Sequence, residues 1–176
     1  MKVCIIGSGL ASLSLANVLI KKDIKVDIYS TSTKTVHNQS RTLGISKSNI
    51  YYFNKEIINI NKFLWKIKNI KIFTEKNHEK ELLKFDNKNE QVFSIIRNYQ
   101  LQKLLVKNLK KSKLVKFINN LNVDRNKYKL IISSDSTHPL IKKFFSKKIE
   151  KNYNSYAYTT SIIHKQIRNH TAFQNF

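Results

Sequence analysis

Two glycines that follow an apolar run have the clearest chemical use in this chain: Gly7 and Gly9 in VCIIGSGLASL, residues 3–13. A glycine pair between a strand and a helix can cradle a phosphate with backbone N–H groups, because no Cβ keeps the anion away. In the dinucleotide-binding pattern the first glycine makes the tight turn and the second lets the pyrophosphate approach. A third lets helix and strand pack closely, and an acid about 20 residues on bonds the ribose hydroxyls. Gly7 and Gly9 fill the first two places, and the N–H groups of Leu10 and Ala11 stand where a phosphate would sit. Ser12 takes the third place, its small hydroxyl free to bond a helix carbonyl or a phosphate. Ser30 occupies the place of the acid; it can make one hydrogen bond to a ribose but cannot chelate two hydroxyls as a carboxylate does. Asp23 falls in the turn before this point, and Asp27 one pleat off register. The same residues also suit a strand–helix–strand unit that uses glycine only for a tight turn.

The elements that must hold these residues follow from periodicity. Val3–Ile6 is a continuous apolar run and predicts a buried strand. Leu10, Leu13, Ala16, Leu19 and Ile20 recur at helical spacing, and Lys25–Tyr29 predicts a second strand, which closes a βαβ unit. Ser30–Ser40 lacks periodicity and predicts a loop. Arg41–Ile45 is expected to be extended, with helices over Ser46–Lys55 and Asn61–Lys68, the latter carrying Trp65 on its apolar face. The period then shortens, so that Ile70–Thr74, Glu81–Phe85 and Gln91–Ile96 predict three antiparallel strands. A helix over Tyr99–Leu109, strands at Leu114–Ile118 and Leu130–Ile132, a proline-led helix at Pro139–Ser146 and a last strand at Tyr156–His164 complete the pattern. The strands of the 70–96 region and the last strand are expected to lie together.

Composition narrows the function classes. The formal net charge is +22, yet of 33 basic residues 29 are Lys and four are Arg, spread among Asn and Ile rather than clustered. Sequence-specific nucleic-acid sites favour Arg forks and basic stripes, so no specific nucleic-acid partner is expected, while attraction to anionic lipid surfaces is. No run approaches the length of a membrane span, and the short apolar run after Lys2 is no signal-peptide core, so a cytoplasmic start is expected. The single cysteine, Cys4, lies in the first strand and reads as a small buried hydrophobe. The five histidines lack metal-ligand spacing, and no metal site is expected.

Several segments in order carry a family resemblance. RTLGISKSNIYYFNK (41–55), QVFSIIRNYQLQKLLVKNL (91–109), YKLIISSDSTHPLIKKFF (128–145) and SYAYTTSIIHKQIRNHTAFQNF (155–176) resemble successive segments of the FAD-dependent aromatic hydroxylases. The match is closest to the branch that hydroxylates polyprenylated phenols in ubiquinone biosynthesis. The resemblance implies an α/β fold: an incomplete Rossmann-type FAD-binding domain over 1–68 and 97–150, and antiparallel strands of a second, substrate-side sheet over 69–96 and 151–176. It implies that Gly7 and Gly9 meet the pyrophosphate, beside the Leu10, Ala11 and Ser12 already read at the turn, that Ser30 stands at the ribose, that Arg41 lies near the flavin or its phosphates, and that Asp135 bonds the ribityl or pyrophosphate region. It implies FAD as cofactor and NAD(P)H as its reductant, with the flavin rather than a side-chain triad carrying the chemistry, so no catalytic residue is named. A polyprenyl phenol or quinone precursor is the implied substrate, with a ubiquinone-biosynthesis complex and a peripheral contact at the inner membrane as the implied setting.

The departures from that family shape further expectations. Ser12, Ser30 and the pair Asp135-Ser136 stand where the family has glycine, an acid and Asp-Gly, and the family's C-terminal flavin motif has no counterpart. The chain is therefore expected to be a truncated, N-terminal part of such an enzyme, to hold FAD weakly or not at all, and to self-associate through the last strand. The alternatives are a non-catalytic remnant or binding module of a membrane-associated biosynthetic complex, and a plain NAD-binding Rossmann protein, against which the missing acid and the inserted strands count.

Overall fold

The computed structural model describes residues 1–30, 41–74, 77–86, 90–120, 122–145, 149, 151–158, 160, 162 and 170–175. In chain order the elements are β1 (Lys2–Ile6), α1 (Leu10–Ile20), β2 (Lys25–Tyr29), β3 (Thr42–Ser46), α2 (Lys47–Tyr52) running into a π-helical turn at Phe53–Ile57, and β4 (Trp65–Ile67). They continue with β5 (Asn69–Thr74), β6 (Asn77–Asp86), β7 (Phe93–Arg97), α3 (Asn98–Lys110), β8 (Val115–Ile118), β9 (Leu130–Ser133), α4 (Pro139–Phe144) and β10 (Thr171–Asn175). The chain divides into two compact units, 1–38 with 101–158 and 39–100 with 159–176.

The first unit is built on a four-stranded sheet in the order β8-β2-β1-β9, with every pair parallel. This is the strand order of a Rossmann-type half, in which the chain winds outward from β1 to one side and then crosses to the other. Val3, Cys4, Ile5, Ile6, Val26 and Ile28 are all buried, as a parallel sheet covered on both faces requires. Alternation sends Cys4, Ile6 and Tyr29 to one face, where Ile118, Val123, Tyr128, Ile131 and Leu140 pack on them. Asn17, fully buried in α1, ties that helix to α3: its amide donates to the carbonyls of Leu13 (2.8 Å) and Leu105 (3.4 Å), and its oxygen accepts from Asn108 (2.7 Å). Leu101, Leu105 and Leu109 form the buried stripe of α3 at the expected spacing.

Among the described residues of this unit, one carboxylate is buried. Asp27, in the middle of β2 opposite Cys4, has its Oδ2 2.6 Å from the Lys2 ammonium and accepts from the Tyr128 hydroxyl at 2.7 Å. Tyr29 and Tyr128 share a further hydroxyl bond at 2.9 Å and meet edge to face. Burial, then the bonds with Tyr29 and Asp27, push the Tyr128 phenol well above its usual range. Burial and the neighbouring Asp27 carboxylate raise the Cys4 thiol to about 11, so it stays protonated and inert, as its place in the apolar run predicts.

The second unit holds two three-stranded sheets, β3-β7-β4 and β10-β5-β6. The expected antiparallel strands exist, but they do not form one set: β7 pairs with β3 and β4, whereas β5 pairs antiparallel with β6 and parallel with β10. The stretch 39–68 clusters with this unit. Ser46 caps α2 by accepting from the Asn49 N–H (3.2 Å), as its serine-led pattern predicts.

Two expected elements are corrected. The helix over Asn61–Lys68 is a single 3-10 turn at Asn61–Phe63 followed by β4, which leaves Trp65 46% exposed. The edge of β7 draws residues 65–67 into an antiparallel ladder, Trp65 opposite Ile95 and Ile67 opposite Phe93, in place of a second helical turn. The last strand is not at Tyr156–His164. Tyr156, Ala157 and Tyr158 carry no strand, and the two tyrosines are 85% and 93% exposed, while the strand beside β5 is β10, where Phe173 stacks on Phe73. Strand propensity in Tyr, Thr and Ile counts only where a packed partner exists. Residues 159, 161, 163 and 164 of that stretch, and 31–40 of the expected loop, lie outside the described residues.

Candidate functional site

Three backbone bonds join the carboxyl ends of the four parallel strands. Gly7 N–H donates to Tyr29 O (2.7 Å), Ser134 N–H to Ile6 O (2.9 Å), and Ser30 N–H to Ile118 O (3.1 Å). The glycine turn, Ser30 and the Ser134–Ser136 loop thus stand at one level, beyond the ends of β1, β2 and β9. The chain order reverses between β1 and β9, and at such a switch point an open parallel sheet leaves a crevice at its carboxyl edge. A cavity of about 280 Å³ lies there, lined by Gly7, Ser8, Gly9, Ser30 and Ser134–Ser136.

The two glycines serve different ends. Gly7 has φ +111°, and a Cβ on it would come within 2.8 Å of the Ser134 hydroxyl, so the turn itself demands glycine. Gly9 has an ordinary φ of −72°, and a Cβ there would meet nothing within 4 Å. A tight turn therefore accounts for Gly7 but not for Gly9, whose missing side chain leaves open space over the start of α1. No side chain caps that helix end, and its first turn holds no acid. The N–H groups of Leu10, Ala11 and Ser12 lack intrahelical acceptors, since the ladder begins with Leu13 N–H to Gly9 O (3.0 Å). Free donors, a positive helix end and clearance at Gly9 together suit a phosphate.

The other expected site residues are placed as follows. Ser12 is buried, and its hydroxyl bonds that of Ser134 at 2.5 Å rather than a helix carbonyl or the open cleft. Ser12→Gly, which restores the fingerprint, is expected to lower stability by about 1–2 kcal/mol in denaturant unfolding, from one lost hydrogen bond and one glycine inside a helix. Ser30 stands at the end of β2 with its hydroxyl 2.9 Å from that of Ser8. Asp27 cannot replace it, because its carboxylate is held on the other face of the sheet by Lys2 and Tyr128. Asp135 lines the cleft, with Oδ1 accepting from Thr137 N–H (2.9 Å) and the Thr137 hydroxyl (2.7 Å). Those two bonds hold its carboxyl below the usual range, so their contribution persists at neutral pH and fades only as pH falls through that lowered value. Arg41 belongs to the second unit, exposed just before β3, with its carbonyl accepting from Asn98 N–H at 3.0 Å.

Sequence reasoning missed Ser8, Ser134 and the flank of α3. Gln102 donates to the Ser8 carbonyl (3.2 Å), which anchors the start of α3 beside the glycine turn. From there a second cavity of about 700 Å³ runs along α3, sharing Ser8 and Ser30 with the first. Leu13, Ile28, Val106, Phe117 and Ile118 give it an apolar wall. The spacing of the lysines on α3 was the available signal.

None of the protein-family models matches the sequence, and none of the curated proteins is recognisably similar to it in sequence. Solved structures with the same fold do exist. PqsL from Pseudomonas aeruginosa, a probable FAD-dependent monooxygenase, is similar over 87% of this chain and 48% of its own, at 10% identity and a TM-score of 0.63. p-Nitrophenol 4-monooxygenase PnpA from Pseudomonas putida DLL-E4 is similar over 66% of this chain and 31% of its own, at 15% identity and a TM-score of 0.56. HpxO from Klebsiella pneumoniae, in complex with FAD and uric acid, is similar over 66% and 30%, at 14% identity and a TM-score of 0.53. The chain spans less than half the length of each. The fold is thus α/β, a partial Rossmann-type fold of the kind found in FAD-dependent monooxygenases.

Proposed function

We propose that this chain binds the adenosine-diphosphate half of FAD at the switch point between β1 and β9, as the nucleotide-binding part of an FAD-dependent monooxygenase-type protein. The observation that carries this reading is the clearance at Gly9 over an uncapped helix end, facing Asp135 and Ser134 across the cleft. The residues fit the pyrophosphate: Gly9, Leu10 and Ala11 would supply the phosphate donors, with Asp135 at the cleft's far side. They fit the ribose less well, because Ser30 offers a single hydroxyl already bonded to Ser8. Flavin bound here supplies redox and oxygen chemistry, with NAD(P)H as reductant. The chain's own part is to bind, orient and shield the cofactor.

Within that class we assign a polyprenylated phenol or quinone precursor of ubiquinone biosynthesis as substrate, on the ordered segments 41–55, 91–109 and 128–145. In this reading the unit of 1–38 with 101–158 is the cofactor side and that of 39–100 with 159–176 the substrate side, so the boundary expected at 68 moves to keep β3, β7 and β4 together. The charge of +22 favours a peripheral contact with an anionic inner membrane or a complex seated on it. Among the described residues no helix is long and apolar enough to cross a membrane. The serine at position 30 also favours a second reading, a binding module that has given up tight flavin retention.

The test is FAD titration followed by flavin fluorescence anisotropy. The chain is expected to purify colourless and to bind added FAD weakly. Ser30→Glu is expected to tighten binding by about 1.5–3 kcal/mol, roughly tenfold to a hundredfold, through charge-assisted bonds to the ribose. Anisotropy that stays flat for both proteins at millimolar FAD would remove the reading.

A further inference from the structure

The larger cavity is both apolar and cationic. It follows α3 from Gln102 to Lys110, about 12 Å at the helical rise, and reaches Lys111 just past the helix end. Leu13, Ile28, Val106 and Phe117 give it a hydrocarbon wall. Phe117 lies opposite Ile28 in the pairing of β8 with β2, but β8 is the edge strand and the ring is 42% exposed. The helix and the residue after it contribute Lys103, Lys107, Lys110 and Lys111, and among the described residues no aspartate or glutamate lines the cavity. The ion pairs of the described residues engage other lysines. Lys103 and Lys107 are four apart and Lys107 and Lys110 three apart, spacings at which like charges on a helix repel. An anion bound along α3 relieves that repulsion.

A hydrocarbon wall bordered by cations matches a ligand that joins an alkyl chain to an anionic group. A peptide laid on that wall brings backbone amides that each need a partner, whereas an acyl chain brings none. We propose that this cavity takes an acyl chain of an anionic phospholipid, with the lysines of α3 on its head-group phosphate. The proposal gives the peripheral membrane contact a place in the fold and rests on that contact, not on the nucleotide reading. The cleft at the glycine turn contains none of these lysines and shares only Ser8 and Ser30 with the larger cavity.

Calorimetric titration of the whole chain with monomeric dihexanoylphosphatidylglycerol, at an ionic strength of about 0.15 M, tests this beside dihexanoylphosphatidylcholine and glycerophosphoglycerol. The anionic lipid is expected to bind about tenfold tighter than the zwitterionic one, and the head group alone about a hundredfold more weakly. Lys107→Gln/Lys110→Gln is expected to lower affinity for the anionic lipid about fivefold or more and to leave the zwitterionic lipid within about twofold. Lys142→Gln/Lys143→Gln, which removes the same charge from α4, is expected to leave both within about twofold. Equal losses in the two double variants, or a head group that binds as tightly as the lipid, would overturn the proposal by showing general anion attraction. Polyglutamate that competes as well as the lipid would overturn it in favour of an acidic protein. Sedimentation with phosphatidylglycerol vesicles tests the contact itself. Vesicle binding without binding of the monomeric lipid would overturn the cavity's role and leave the contact standing, and no binding to either would remove both.

Discussion

Gly7→Ala is expected to destabilise the protein by about 2–4 kcal/mol, while Gly9→Ala is expected to change stability by less than about 0.5 kcal/mol and to weaken nucleotide binding tenfold or more. The same methyl group meets two different surroundings. At Gly7 it must adopt φ +111° and enter the space 2.8 Å from the Ser134 hydroxyl, which in turn is the partner of Ser12. Backbone strain of about 1–3 kcal/mol and a displaced hydroxyl pair of about 1 kcal/mol then add. At Gly9 the methyl projects into empty cleft from a relaxed backbone, so the folded state hardly registers it. A phosphate seated on the first turn of α1 would register it strongly. Denaturant midpoints and FAD titrations on the two variants separate these effects. A Gly9→Ala protein with unaltered affinity would mean that no phosphate lies over this turn.

Asp27→Ala is expected to cost about 2–3 kcal/mol, which for a chain of this size lowers the thermal midpoint by about 4–12 °C. The Tyr128 hydroxyl loses an ionised acceptor at 2.7 Å in a buried setting, where such a bond is worth about 1.5–3 kcal/mol. Lys2 loses a contact at 2.6 Å, but its side chain is 37% exposed and its ammonium can turn to water, so the loss stays below the largest values for broken buried pairs. Tyr128→Phe removes the bonds to both Asp27 and Tyr29 and leaves the ion pair, so a loss of about 1–3 kcal/mol is expected. FAD affinity should be the same in both variants, because neither Asp27 nor Tyr128 lines the cleft at the glycine turn. A thermal scan paired with FAD titration checks both statements. Unchanged stability with lost FAD binding would make Asp27, rather than Ser30, the ribose partner.

The legible parts of this molecule are the local ones. β1, the turn and α1 were readable because a buried strand, a glycine pair and a helical period occupy one short stretch, and each needs only its neighbours. The helix after Ser46 and the helix led by Pro139 carry their own caps, so they too were readable. What depends on distant pairing was not. Trp65–Ile67 is a strand because β7 offers it an edge, and nothing within 61–68 announces β7. Tyr156–Tyr158 has the composition of a strand, while the unremarkable Thr171–Asn175 lies beside β5. In the site, Gly7, Gly9 and Ser30 were legible from spacing alone. The Ser12–Ser134 bond joins residues 122 positions apart, and the lysines of α3 reach the Ser30 cavity only because β8 settles next to β2. No window of sequence contains either fact.

The parallel pairing of β1 with β9 also bears on how the protein acquires its site. Val3 finds Leu130 only after the whole intervening chain, including the stretch 39–100 of the second unit, has been made and looped back. The entropic cost of that closure grows only with the logarithm of loop length, but it falls due before any contact of the β1–β9 ladder forms. Contacts of such high sequence separation slow folding, and the cleft between Gly7 and Ser134 is expected to close late. A nascent chain that has emerged only through β2 holds the glycine turn without its opposite wall. If the cleft binds a nucleotide as proposed, that binding is expected to report on completion of the sheet, and ligand present during refolding to act on the final closure rather than on the nucleus.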